Sequence, residues 1–285
     1  MEIKSSEKKV WLITGCSKGL GHSLAEAVIK QGYNAVITAR DADTLTALIE
    51  LAPERVQALT LDVNSDVQVQ DAVTRTIARF GRIDVLVNNA GYGLAGAVEE
   101  VSDAEAREQM ETNVFAVLKL TRAVLPHMRA QKSGHILNIS SAAGFVATAG
   151  LGIYNASKFA LEGFSEALAQ EAAHLGIKVT LIEPGPFRTD WAGPSLITPR
   201  KMISDYADSA HKTIQMLNSY SGKQPGDPQK AARAMIMVVE AVNPPMRLPL
   251  GEMAVGRIRQ KLAAMTAELD NWEIVALDTS FAPAS

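Results

Sequence analysis

Residues 10–21 read VWLITGCSKGLG, and this stretch decides how the rest of the chain is read. Val10 to Thr14 is a short apolar run of strand type, and TGCSKGLG (Thr14 to Gly21) follows it directly and opens a helical pattern. Gly15, Gly19 and Gly21 let the backbone turn tightly and come close to a pyrophosphate. The free N–H groups and positive dipole end of the helix then face the phosphates. Ser17, Lys18 and Leu20 complete the loop, and Lys18 brings a positive charge. An ordinary glycine-rich turn would share this composition; the strand–turn–helix order is what favours phosphate binding. The spacing is not that of a P-loop and no Gly-Lys-Ser/Thr ends it, so ATP hydrolysis is disfavoured.

Outward from this loop, short β-branched runs alternate with longer helical patterns. Strands are expected at Val10–Thr14, Asn34–Ala39, Arg55–Leu61, Ile83–Asn88, His135–Ser140 and Lys178–Glu183, with helices near 19–31, 42–52, 66–80, 103–131 and 153–175. Several strands are apolar almost throughout, as parallel strands covered on both faces are. The alternation predicts an α/β fold, a doubly wound parallel sheet with helices on both faces and right-handed crossovers. After Glu183 the rhythm changes: Pro184, Pro186, Pro194 and Pro199 interrupt regular helix, and helices are then expected at about 199–220 and 228–242. The segment 186–225 reads as an irregular surface connection or as a lid, since ligands bind at the carboxyl ends of such strands. From Glu252 onward come a further helix and a mixed tail. One domain is expected over 1–285, with its core at about 8–190, the lid at about 186–225 and a C-terminal extension at about 250–285.

The second strand ends VITAR, where a dinucleotide fold meets the adenosine ribose. An acidic side chain there would accept hydrogen bonds from the ribose 2′-OH and repel a 2′-phosphate. Ala39 instead leaves space, and Arg40 offers a planar, permanently charged fork suited to phosphate. A solvated surface arginine, partly neutralised by Asp41, is the plainer reading of Arg40. The residue pattern favours NADP(H) over NAD(H).

Tyr154 and Lys158 stand four apart at the start of a helical pattern, so their side chains share one face. A tyrosine hydroxyl ordinarily ionises near pH ~10, and a nearby ammonium is expected to favour its charged form and bring it towards neutrality. Ser141, at the end of the fifth strand, is placed to hold a carbonyl oxygen while charge develops on it. Alone, a Tyr-x-x-x-Lys pair is more often a plain helix surface; behind a phosphate loop it reads as a proton-transfer pair.

Together these segments resemble the short-chain dehydrogenase/reductase family. The matching residues are TGCSKGLG (14–21), Asp62-Val63, NNAG (88–91), Asn113, Ser141 with Ala142-Ala143-Gly144, Tyr154-Asn155-Ala156-Ser157-Lys158, and Pro184-Gly185 followed by Thr189. They occur in the family's order over about residues 8–190. The later proline-rich segment and C-terminus are similar, more loosely, to the hydroxysteroid- and retinol-dehydrogenase-like carbonyl reductase branch. The resemblance implies a Rossmann-like sheet and a hydride transfer between a nicotinamide cofactor and a ketone, aldehyde or secondary alcohol. It implies Tyr154 as general acid/base, Lys158 as holder of the nicotinamide ribose, Ser141 as orienter of the substrate oxygen, and Asn113 as holder of a water linking Lys158 to solvent. It implies that Asp62 with Val63 meets the adenine, that Asn89, Ala90 and Gly91 flank the adenosine side, and that Pro184, Gly185, Phe187 and Thr189 anchor the carboxamide. Ser140 competes for the serine role. Gly93 and Gly96 depart from the pattern and are expected to loosen a loop beside the substrate.

Composition narrows the alternatives. Lys plus Arg is 28 and Asp plus Glu is 31, a net charge of −3, against a nucleic-acid partner. Cys16 is the single cysteine, so neither an internal disulfide nor a cysteine-built zinc site is available, and a reducing, cytoplasmic setting is expected. His22, His127, His135, His174 and His211 show no metal-ligand spacing, and no metal is expected. The N-terminus MEIKSSEKKV is polar, and the stretch from Ser133 to Ser157, though free of Asp, Glu, Lys and Arg, is broken by glycines and serines, so no membrane partner is expected. Trp191 and Phe187 are the aromatics expected near substrate. The methionines of the C-terminal third read as core filling or as a pliable apolar pocket. The helix from Asn155 to Leu175 carries more apolar residues than one buried face needs, which points to a homodimer or homotetramer. Two other functions stay open: an NAD-dependent alcohol dehydrogenase of the same fold, and a non-catalytic protein that senses NADP.

Overall fold

The structure, a computed structural model, describes residues 8–193 and 195–281. The polar N-terminal residues 1–7, Pro194 and the last four residues of the expected C-terminal extension lie outside the described residues. In chain order the strands are β1 (Val10–Ile13), β2 (Asn34–Ala39), β3 (Val56–Thr60), β4 (Val85–Asn88), β5 (Gly93–Leu94), β6 (Gly134–Ile139), β7 (Ile177–Pro184), β8 (Leu196–Ile197) and β9 (Arg247–Leu250). The α-helices are α1 (Gly19–Lys30), α2 (Thr46–Glu50), α3 (Asp66–Phe80), α4 (Asp103–Met110), α5 (Ala116–Gln131), α6 (Gly152–Ala172), α7 (Ala210–Tyr220), α8 (Pro228–Glu240) and α9 (Glu252–Leu277).

Seven strands form one parallel sheet in the order β3-β2-β1-β4-β6-β7-β9. Side chains alternate across each strand, and both faces are covered. Trp11 and Ile13 of β1 pack with Leu24 and Val28 of α1 and Met235 and Ile236 of α8. Leu12, between them, faces the opposite layer with Val69 and Val73 of α3, Val124 of α5 and Leu168 of α6. Each such side chain contributes about 1.5–3 kcal/mol by leaving water. The strand order reverses between β1 and β4, which opens a crevice at their carboxyl ends. Local signals fix several helix ends. Ser65 caps α3 and Gly81, at φ 75°, ends it; Ser102 and Glu105 form a capping box on α4; Asp227 caps α8 with Pro228 in its first turn.

The architecture departs from the sequence-based expectation in five places. A seventh strand, β9, pairs with β7 although Pro249 lies in it; at the sheet edge a residue without an N–H is tolerated. The helix expected over 199–220 begins only at Ala210. Ahead of it, backbone N–H groups bond to distant carboxylates instead: Arg200 to Glu105 at 3.1 Å and Ile203 to Glu100 at 2.6 Å. The helix expected over 103–131 is interrupted by a π-turn at Glu111–Phe115, and 42–52 is a 3₁₀ turn at Ala42–Leu45 followed by α2. Gly93 and Gly96 do not loosen a loop. Gly93 pairs with Leu196 in the β5–β8 ribbon and Gly96 bridges to Leu151, because side chains there would collide with Trp191 and Pro199.

Candidate active site

The glycine loop is held from below. Gly15 and Gly19 adopt φ of 69° and 63°, and a side chain on Gly21 would run into the Gly15 carbonyl and the Asn89 amide. The Nδ2 of Asn89 donates to the carbonyls of Thr14 (2.8 Å) and Gly15 (3.0 Å). The Thr14 hydroxyl accepts from the N–H groups of Asn89 (2.9 Å) and Ala90 (3.0 Å) and donates to the Val87 carbonyl (3.2 Å). Thr14 was not among the expected site residues; its position between strand and loop, next to Gly15, was the available signal. α1 starts at Gly19, and among the described residues no side chain caps its first N–H groups, which leaves these donors available to an anion. They border a cavity of about 270 Å³ whose lining includes Ser17, Lys18, His22, Arg188, Thr189 and one carboxylate, Asp190. The cradle, the available donors and the Lys18 and Arg188 charges, which outnumber Asp190, fit a dinucleotide pyrophosphate.

Arg40 follows β2 directly, is exposed, and has no ion-pair or hydrogen-bond partner among the described residues. Asp41 does not neutralise it: its carboxylate accepts the Asp43 N–H at 3.0 Å and caps the next turn. Asp62 stands beyond the neighbouring strand β3, its Oδ1 accepting from the Asn64 N–H at 3.0 Å, with half-buried Val63 beside it.

Ser141, Tyr154 and Lys158 converge beyond β6. The Oγ of Ser141 accepts the Ala143 N–H at 3.1 Å, and its hydroxyl lies 3.5 Å from the Pro184 carbonyl, facing the tyrosine. Tyr154 and Lys158 lie one turn apart on α6, both buried, with Lys158 Nζ 5.8 Å from the tyrosine ring centre. Lys158 donates to the Ile139 carbonyl at 2.8 Å. Burial pushes the Tyr154 hydroxyl up to about 12, with the Ser141 hydroxyl pulling it down, and burial lowers Lys158 to about 8. The direction is thus opposite to the lowering expected from Lys158: burial raises the tyrosine, and the opposing pull comes from Ser141. Ser140 points elsewhere, towards Glu162 and the stem of Lys158, and is not the serine beside Tyr154.

Asn113 sits in the π-turn, a local widening common at functional sites. Its Nδ2 donates to the Tyr92 carbonyl (3.0 Å) and to Ser157 Oγ (3.1 Å), and its Oδ1 accepts the Tyr92 N–H (3.2 Å). The side chain thus ties α4–α5 to α6 and to the segment after Gly91. Part of the segment 186–225 packs on the other side. Trp191 stacks obliquely on Tyr154, ring centres 5.1 Å apart, and Leu196 and Ile214 join Ala95, Leu151 and Tyr154 in one apolar cluster. Thr189 lies against Gly19 and caps the turn carrying Trp191 (3.3 Å), while Gly185 N–H donates to the Leu250 carbonyl (2.9 Å) and Phe187 bridges to Gly226. The methionines do not converge on this cluster: Met235 is core, whereas Met216 and Met237 are exposed.

Sequence reasoning also missed a buried acidic cluster behind Lys158. Glu162, one turn on, and Glu183, near the end of β7, share Arg247 of β9 at 2.9 Å and 3.6 Å. A carboxylate inside the otherwise apolar run LIEP was its only mark in the sequence. Cys16 is a packed thiol, its Sγ 3.2 Å from the Ile13 carbonyl, and burial pushes it up to about 12. Among the described residues no group of His, Cys, Asp and Glu is placed to hold a metal ion.

Such a sheet, with an anion cradle at its switch point and a buried tyrosine–lysine pair beside it, defines a nicotinamide-dinucleotide oxidoreductase. The short chain dehydrogenase family model matches residues 9–198. An oxidoreductase of Botryotinia fuckeliana, BOA17, is 40% identical over 270 residues, covering 94% of this chain and 98% of that protein. A 3-ketodihydrosphingosine reductase of Bacteroides thetaiotaomicron is 37% identical over 248 residues, 87% of this chain and 89% of that one. A short-chain dehydrogenase from Streptomyces avermitilis superposes with TM-score 0.91 at 41% identity, covering 96% and 100% of the two chains. Two more distant structures carry cofactor: a metagenomic short-chain oxidoreductase with NADP (TM-score 0.68, 27% identity, 86% and 98% covered) and a Brucella melitensis 3-ketoacyl-(acyl-carrier-protein) reductase with NADH (TM-score 0.72, 26%, 86% and 98%). The chain belongs to the short-chain dehydrogenase family and is an oxidoreductase with a nicotinamide cofactor.

Proposed function

We propose that this oxidoreductase is NADP(H)-dependent and interconverts a ketone or aldehyde with the corresponding alcohol, working as a carbonyl reductase. The convergence of Ser141, Tyr154 and Lys158 behind the glycine loop carries the reading. The bound cofactor supplies the hydride. Tyr154, held protonated by its burial, is poised to donate its proton to the substrate oxygen as that oxygen gains charge. Ser141 orients that oxygen, and the Lys158 ammonium, 5.8 Å from the ring centre, offsets the tyrosinate left behind. Lys158 also holds the nicotinamide ribose, and Asn113 holds a water leading from Lys158 to solvent. The glycine loop and α1 bind the pyrophosphate, Asp62 and Val63 with Asn89, Ala90 and Gly91 flank the adenosine, and Pro184, Gly185, Phe187 and Thr189 face the carboxamide.

Arg40 supports the cofactor preference: an exposed guanidinium without a partner among the described residues, beside a carboxylate already used in a cap, favours a 2′-phosphate. The apolar wall of Trp191, Leu196, Ile214 and Leu151 favours a largely apolar carbonyl substrate, and the Bacteroides relative is named for reduction of a keto compound, 3-ketodihydrosphingosine. Exposed Phe115 and Phe159, at the start of α5 and on α6, fit pairing of two or four copies across these helices. The lone buried thiol fits a reducing, cytoplasmic setting.

Absorbance-monitored oxidation of NADPH and NADH against a panel of apolar ketones and aldehydes tests this reading. NADPH is expected to be preferred at least tenfold, and Arg40→Asp to move the preference towards NADH. Equal use of both by the wild type, unchanged by Arg40→Asp, would make it an NAD-type alcohol dehydrogenase. Tight binding without turnover across the panel would favour the sensor.

A further inference from the structure

Helix α9 is 26 residues long, about 39 Å, yet only Ala254 and Ile258 in it are buried. Arg257 fastens its first two turns to the body through the Thr148 hydroxyl at 2.8 Å. From Leu262 to Leu277 every residue is exposed, so roughly four turns stand clear of the described body. A free helix of this length is marginal in water without a packed face. This segment has such a face: continuing the row of the buried Ile258, the residues Leu262, Met265, Leu269, Trp272 and Ala276 recur at intervals of three, four, three and four, the seam of a two-helix coil. Leu269 and Trp272 are 64% and 66% exposed, which is far from ordinary for residues of this size in sequence register.

The charges say what covers it. Arg257, Arg259 and Lys261 lie in the half next to the body, and Glu268, Asp270 and Glu273 in the distal half. Two copies side by side in parallel would place like charges together. Antiparallel, each basic half meets the other's acidic half, and the helix dipoles oppose as well. Seam layers then pair Met265 with Leu269 of the partner subunit and Leu262 with Trp272 of the partner subunit, with Arg259 beside Glu273 of the partner subunit.

We propose that α9 is an assembly arm, whose exposed seam packs antiparallel against α9 of a second copy of this chain. This contact is separate from the α5–α6 face. It also accounts for exposed Ile274, Val275 and Leu277, off the seam at the tip, which reach the base of the partner's helix beside its body.

Light scattering and equilibrium sedimentation of the full chain at micromolar concentration decide it, with circular dichroism confirming that each variant is folded. Leu269→Asp, at an exposed position, is expected to halve the mass of the assembly. Arg259→Glu and Glu273→Arg are each expected to weaken association on the order of tenfold, and the combined charge swap to restore it. A mass unchanged by Leu269→Asp overturns the inference. If Phe115→Asp alone then dissolves the assembly, the α5–α6 proposal stands and the arm does not. Failure of the double swap to restore association overturns the antiparallel pairing. Monomeric wild type that co-sediments with anionic phospholipid vesicles would assign the arm to a membrane surface instead.

Discussion

Replacing Glu183 by glutamine probes the acidic cluster behind Lys158. Glu183 is 1% exposed, and no N–H or O–H donor of the described residues reaches either of its oxygens. Arg247 approaches at 3.6 Å but spends its hydrogen bonds on Glu162 (2.9 Å) and Glu166 (2.7 Å). Burial and the neighbouring Glu162 push Glu183 up to about 8, from an ordinary value of 4.5. Between those two values the folded chain keeps a proton that the unfolded chain has released, so stability is full below pH 4.5 and is lost as pH rises towards 8. Each pH unit is worth about 1.4 kcal/mol, so the whole window would reach ~5 kcal/mol for an isolated group. Here the proton is shared with Glu162 and Arg247 offsets part of the charge, so we expect about 2 kcal/mol. Glutamine keeps the shape and supplies a permanent N–H towards Glu162. Relative to wild type, Glu183→Gln should therefore gain about 2 kcal/mol, or about 5 °C in Tm, when the pH is raised from 5 to 8.5. Thermal unfolding of both proteins at the two pH values measures this double difference. A variant that gains nothing at pH 8.5 relative to pH 5 would refute the shared buried proton.

Other residues give sharper functional readouts. Gly21→Ala places a methyl group against the Gly15 carbonyl and the Asn89 amide, so dinucleotide affinity measured by calorimetry should fall at least tenfold; unaltered affinity would mean that the loop is not the cradle. Trp191→Ala removes the ring packed on Tyr154 and should raise KM for apolar substrates about tenfold, with a smaller effect on kcat. A fall in kcat alone would place the ring at the chemistry and not at the substrate.

The glycine loop, the Tyr154–Lys158 face and the apolar strands near them were legible because each is local: a turn, a helical spacing, a run of apolar residues. Arg40 could be placed at a strand end for the same reason. What sequence reading lost was decided at long range. Pro249 hid the edge strand β9, and nothing near it announces that β7 supplies its partner. The start of α7 moved to Ala210 because carboxylates near residue 100 capture the backbone N–H groups of Arg200 and Ile203. Gly93 and Gly96 gave no hint that their missing side chains make room for Trp191 and Pro199. The direction of the Tyr154 shift depended on burial, which spacing does not report.

Substitution of Tyr154 tests the proposed chemistry most directly, because Tyr154→Phe deletes one oxygen from a buried ring that keeps its packing on Trp191. The measurement is single-turnover oxidation of bound NADPH in the presence of a reducible ketone, wild type against variant. The expected result is unchanged NADPH affinity and a rate reduced by roughly 10²–10⁴, the contribution of a positioned proton donor. A variant that turns over within about tenfold of wild type would contradict it and move the proton donor to another group.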